Sequence, residues 1–192
     1  MYTMGPVKLR VLTGVPASGK SSLARELANR IRGDWQIVHW DDSIGPLRVC
    51  YGPIRVPGPY PPFDSIRALH PYFAGWSAGW YLGDGWNVFL EGHILNGEER
   101  DRLTRAVKDA YLGPLDLAVA YLHVDPEEAI RRRCASRYWH PELTPPDRER
   151  VIREWITTHV PSPDSYDLKI DGSRPLAAVL ADLVSVLGID LA

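Results

Sequence analysis

Near its start the chain reads Gly14-Val15-Pro16-Ala17-Ser18-Gly19-Lys20-Ser21. This satisfies G-x-x-x-x-G-K-[ST], the phosphate-binding loop. Two glycines allow the backbone to turn its N–H groups around a phosphate, at the positive end of the helix that follows. In that pattern Lys20 reaches the β- and γ-phosphates and the Ser21 hydroxyl sits on Mg²⁺. Gly14, Pro16, Ala17, Ser18, Gly19, Lys20, Ser21 and Ser22 are therefore the expected nucleotide-binding surface. A chance glycine-rich turn would not require a strand before it and a helix after it. Both are present: Val7–Thr13 is a buried-strand run, and Leu23, Leu27 and Ile31 form one helical stripe.

Acids and arginines with the right placement come next. Asp41-Asp42 closes a second strand pattern, Trp35–Trp40, and Glu91 closes a third, Trp86–Gly92, with His93 directly after. Carboxylates at strand C-termini fall in the crevice where open α/β sheets bind ligands. Asp41 is the candidate base for an acceptor hydroxyl, and Asp42, Arg48, Glu91 and His93 are candidate substrate contacts. Glu91 is also a candidate for holding Mg²⁺ through water. The bland alternatives are a solvated turn or a helix cap for the Asp pair, less favoured beside the phosphate loop, and a polar strand end for His93. Arg133 and Arg137 are four apart and share a helix face, with Arg132 on another. They are either salt-bridged surface arginines or the cations that stabilise a transferring phosphoryl group.

These residues need a scaffold, and the chain alternates strand and helix throughout. Leu117–Val124 reads as a fourth strand, followed by Asp125-Pro126-Glu127-Glu128, a strong helix start. Tyr166–Asp171 is the fifth, and Ser173 is a natural N-cap for a last helix. Between strands two and three, Asp64–Leu82 is helical, with Pro71 as a kink or boundary. Ile66, Leu69, Tyr72, Phe73, Trp76 and Trp80 are its expected core-facing side. Residues 44–62 are too rich in Gly and Pro for a regular element, and they carry Tyr51, Tyr60, Arg48 and Arg55. That length suits a substrate-covering loop as well as a self-packed surface loop. A segment at about 131–160 would form an arginine-bearing lid.

Composition narrows the class. One α/β domain over residues 1–192 accommodates the length. A formal net charge of −2 demands no nucleic-acid partner. Two cysteines imply no disulfide framework, and the six histidines lack metal-ligand spacing. No apolar run approaches membrane-spanning length, so a cytoplasmic enzyme with no membrane partner is the expectation.

The ordered set of the phosphate loop, "HWDD", "FLEGHILNGEERDRL", "YLHVDPEEAIRRRCASR" and "LKIDGSRP" resembles the small P-loop kinases. The polynucleotide-kinase-like group is nearest, with chloramphenicol-phosphotransferase and zeta-toxin kinases as cousins. The resemblance implies a P-loop NTPase fold, a five-stranded parallel sheet in order 2-3-1-4-5 with helices on both faces. It implies a transferase using ATP and Mg²⁺, with Asp41 as base and Arg133 and Arg137 near the phosphates or adenine. The loop with Ser173 and Arg174 would pack beside the adenine. Ser43-Ile44 stand where the polynucleotide kinases carry an arginine, and Glu91 stands where they carry Asp. The acceptor implied is a nucleic-acid or nucleoside hydroxyl. A small-molecule alcohol, such as an antibiotic or sugar nucleotide, and an acceptor-free ATPase switch stay open beside it, as does a homo-oligomer.

Overall fold

The computed structural model describes residues 6–40, 63–93, 96–135, 143–160 and 162–191, with side chains undescribed at 63–68 and 159. Five strands form one sheet: β1 (Val7–Gly14), β2 (Trp35–His39), β3 (Asn87–Glu91), β4 (Leu115–His123) and β5 (Leu168–Asp171). Their order is β2-β3-β1-β4-β5, as expected, and the sheet is parallel. The central strand is buried along almost its whole length, which requires cover on both faces. The outer pairs run in register from Trp35↔Asn87 to His39↔Glu91 and from Ala120↔Leu168 to His123↔Asp171.

The described residues cluster into two compact units. One holds residues 1–11, 32–92 and 97–118. Its helices are α2 (Phe63–Gly83) and α3 (Gly97–Ala110). Pro71 lies inside α2 and does not end it. The two helices pack closely because α2 presents small residues there: Ala74, Gly75, Ala78 and Gly79 are buried. A Cβ on Gly75 would stand 2.5 Å from the Leu103 carbonyl oxygen, and one on Gly79 2.6 Å from Ala110 Cβ. The face expected to enter the core is therefore on the wrong side. Leu69, Tyr72, Trp76 and Trp80 are exposed. The close approach of α3 selects the side without bulk, and large rings cannot occupy it. In the same unit Arg10, buried on β1, donates to the Asp116 carbonyl at 2.7 Å and to its carboxylate at 2.6 Å.

The other unit holds residues 12–31, 93–96 and 119–192. It contains α1 (Lys20–Ala28), α4 (Pro126–Ala135), α5 (Pro145–His159) and α6 (Leu176–Leu187). Leu23 and Leu27 of α1 are buried as their spacing requires, whereas Ile31 lies past the helix and bridges to Leu191. Asp125 Oδ1 accepts from the Glu127 N–H at 2.9 Å, which caps α4 as the sequence indicates. Ser173 does not cap α6. Pro175 holds that position, and Ser173 turns back to Asp171 instead. Tyr121 stacks on Tyr166 with ring centroids 4.7 Å apart. Among the described residues no helix is long and apolar enough to cross a membrane.

Candidate functional site

The phosphate loop leaves the end of β1 and enters α1 directly. Gly14 has φ 152°, and a Cβ there would lie 2.5 Å from the Leu122 carbonyl oxygen. The loop thus starts hard against β4, at a place only glycine fits. Pro16 and Ser18 are buried. Ala17 has φ 63°, the one non-glycine with positive φ among the described residues. Such strain costs about 1–2 kcal/mol and persists where the surroundings impose it, often at functional sites. Gly19, at φ 103°, takes the N-cap position of α1 and leaves space around it: a Cβ there meets nothing within 4 Å.

Beneath the loop, Val15 packs with Val124, Ala129, Ile130, Ile152 and Ile156 in one buried cluster. Residues from α4 and α5 therefore form the floor that holds the loop. The buried Lys20 ammonium donates to the carbonyls of Gly14 at 3.1 Å and Val15 at 2.9 Å, folding back over the loop it ends. Ser21 and Ser22 are exposed on the first turn.

This cradle fits a phosphate on three observations. Among the described residues no side chain caps α1, and its first turn holds no acid, so the positive end of its dipole carries no negative side chain of its own helix. The Ser18 hydroxyl is buried with no hydrogen-bond partner among the described residues. Among the described residues the space at Gly19 is open. Ser21 supplies a hard oxygen donor suited to Mg²⁺. Among the described residues no group of three or more His, Cys, Asp or Glu could hold a metal ion by itself.

The remaining expected contacts of this unit are placed as follows. Thr13 donates its hydroxyl to the His93 carbonyl, which ties His93 to the end of β1. Arg133 is half-buried near the end of α4. Its neighbours Arg131 and Arg132 are both engaged by Glu128, at 2.7 and 2.6 Å, and hold that carboxyl down to about 2. Ser173 donates its hydroxyl to Asp171 at 2.6 Å and its N–H to the same oxygen at 2.9 Å. Arg174 pairs with Asp182 of α6. Ser173 is thus tied to the turn and Arg174 to α6, and both residues are exposed at the surface. The described half of the expected lid, α5, buries Ile152 and Ile156, and Arg153 binds Glu127 of α4 and Glu149.

The acidic candidates belong to the first unit. Glu91 ends β3 and is 7% exposed. Its Oε2 lies 2.9 Å from Nδ1 of His39, its register partner on β2. At that distance the two side chains share one hydrogen bond, with the half-exposed imidazole ring held against the carboxyl group. Behind this pair, buried Trp40 donates its indole N–H to His70 Nδ1 at 3.0 Å. His39 and His70 escaped sequence reasoning. His39 carries a signal, since strand periodicity places it on the side of Asp41. His70, from the middle of α2, carries none. Asp41, Asp42, Arg48 and Arg137 lie outside the described residues, as does the 44–62 loop.

No family model matches the chain, and no curated relative matches it. Solved structures do match. The protein APE1195 is 20% identical, with 96% of this chain and 97% of that one covered and a TM-score of 0.69. A sugar kinase from Janibacter sp. is 16% identical over 96% of each chain, TM-score 0.63. The APS kinase CysC of Mycobacterium tuberculosis, solved with AMPPNP and APS, is 19% identical, covering 96% and 99%, TM-score 0.62. The fold is that of the P-loop NTPases. Each of these matches runs along nearly the full length of both chains.

Proposed function

We propose that the protein transfers the γ-phosphoryl group of ATP to the hydroxyl of a small molecule. The observation that carries this is the cradle at residues 14–21, with its uncapped helix, orphan Ser18 hydroxyl and open space at Gly19. ATP supplies the transferable group when bound, and Mg²⁺ the counter-charge that spreads over its oxygens. The loop N–H groups hold the phosphates, Lys20 shifts from its own loop carbonyls to the β- and γ-oxygens, and Ser21 offers its hydroxyl to the metal. Arg133 and Arg137 neutralise charge that develops on transfer. Asp41 accepts or orients the acceptor's proton. Glu91, hydrogen-bonded to His39, orders the acceptor side, with Asp42, Arg48 and His93 as further contacts.

Two facts support a small acceptor. The net charge is −2, whereas a polynucleotide track calls for a basic groove. Neighbours matched along nearly their entire length are a sugar kinase and an enzyme solved with APS, both names of small-molecule kinases.

The test is transfer of labelled γ-phosphate from Mg·ATP to a panel of sugars, nucleosides, sugar nucleotides, hydroxylated antibiotics and oligonucleotides. Saturable labelling of a small alcohol is expected, with Asp41→Asn losing transfer and keeping ATP-analogue affinity. Acceptor-independent hydrolysis at enzymatic rates, or an Asp41→Asn variant with full transfer, refutes the reading.

A further inference from the structure

The outer face of α2 is apolar and has no partner within the described structure. Leu69, Tyr72, Phe73, Trp76 and Trp80 recur at helical spacing and share one stripe. Leu69 is 41% exposed, Tyr72 43%, Trp76 42% and Trp80 61%. The rings order one another: Tyr72 meets Phe73 edge-on at 6.0 Å between centroids, and Trp76 and Trp80 lie 5.3 Å apart. From Ala68 to Gly83 the helix carries no Asp, Glu, Lys or Arg. Its opposite face is already filled by α3. A solvent-facing helix normally carries charge on its outer side, and a helix apolar all round is normally buried all round.

We propose that this stripe is the interface of a homodimer, with the same stripe of a second copy packed on it across a two-fold axis. Area supports that occupant. A ring of this kind presents roughly 150–250 Å², so the exposed parts of the stripe and the flanking Tyr81 come to roughly 400–500 Å². A standard interface takes about 800 Å² from each partner, of which about 56–65% is apolar. The stripe supplies that apolar share.

Charge supports it too. The stripe has no cation to hold it on a lipid surface and no charge to select an acidic or basic protein. Laid antiparallel on itself, it brings no like charges together, and an isologous contact needs one self-complementary patch. Trp and Tyr are also the side chains that dominate binding energy at interface centres.

The test is sedimentation equilibrium of the full chain from about 1 to about 100 μM, which spans typical dimer affinities. The expected species is a dimer of twice the 21.6 kDa chain mass. Trp80→Arg alters the most exposed ring of the stripe, so circular dichroism and the urea midpoint should hold. The dimer dissociation constant should rise at least about 30-fold, the loss expected at a hot spot. Leu112→Arg changes a residue 95% exposed outside the stripe and should leave the dimer intact.

A chain monomeric throughout overturns the proposal. So does a dimer indifferent to Trp80→Arg, or one equally sensitive to Leu112→Arg. A monomer that co-sediments with neutral lipid vesicles names a lipid surface as the occupant and overturns it as well. A monomer whose Trp80 is shielded from a soluble quencher, judged against Trp80→Phe, means that the chain covers its own stripe, and this too overturns the dimer. Mass is the readout, so the proposal stands or fails apart from the phosphotransfer reading.

Discussion

Gly14 and Gly19 both have positive φ, yet alanine should harm them in different ways. At Gly14 the new methyl meets the Leu122 carbonyl oxygen at 2.5 Å and its carbonyl carbon and Cβ at 3.3 Å. Leu122 is fully buried in β4 and cannot move aside. Backbone strain of about 1–3 kcal/mol then adds to an overpacking cost of about 1–3 kcal/mol. Reduced freedom of the unfolded chain returns about 0.4–1 kcal/mol. The net loss is about 1–6 kcal/mol. At Gly19 the methyl meets nothing within 4 Å. Only the strain term remains, about 1–2 kcal/mol before the same offset.

Nucleotide affinity should fall in both, and in Gly19→Ala it should fall out of proportion to stability, because the methyl enters the phosphate's space. Urea denaturation with linear extrapolation gives the first quantity, and titration calorimetry with a non-hydrolysable ATP analogue and Mg²⁺ gives the second. If Gly14→Ala unfolds no earlier than Gly19→Ala, the close approach to β4 is wrong. If Gly19→Ala binds nucleotide as the parent does, the cradle is wrong.

Three further outcomes are expected. Gly75→Ala should lose about 1–2 kcal/mol in urea, because overpacking against the Leu103 carbonyl outweighs the helix-propensity gain of about 1 kcal/mol. Gly97→Ala, with open space, should lose nothing. Burial pushes the Tyr121 hydroxyl from 10.0 up to about 12, so it stays neutral in the fold while the unfolded chain ionises. Its stabilisation is complete below pH 10.0 and is lost as pH rises toward about 12, and Tyr121→Phe should flatten that alkaline decline in denaturation midpoints. Arg10 holds the Asp116 carboxyl below its ordinary 3.8, so this pair stabilises above that pH and weakens as acid protonates the carboxylate. Asp116→Asn should cost about 1–2 kcal/mol at neutral pH, less than a fully buried pair because the carboxylate is 46% exposed, and should flatten the acid limb.

The phosphate loop was legible in the sequence because its chemistry is local. Two glycines, Lys20 and Ser21 act within one turn of chain, and their spacing alone fixes which backbone the loop can adopt. Strand periodicity located Glu91 at a strand end for the same reason, and the Asp125-Pro126 cap needed nothing beyond neighbouring residues. The sheet order came from resemblance, since periodicity does not say which strands pair.

Other features depended on what approaches from elsewhere. Helix α2 is apolar on two sides, so its hydrophobic pattern could not say which side enters the core. Steric fit decided it, since α3 approaches so closely at Gly75 and Gly79 that even a Cβ there would stand 2.5–2.6 Å from its atoms. His39 meets Glu91 because two strands far apart in sequence share a register. Ser173 looked like a cap by position, but the turn ties its hydroxyl and N–H to Asp171 and the helix starts two residues later, with Pro175 at the cap position. Local spacing determined which residues form the loop between β1 and α1. Only tertiary packing decided which face of α2 is buried, that His39 meets Glu91, and that Val15 rests on residues of α4 and α5.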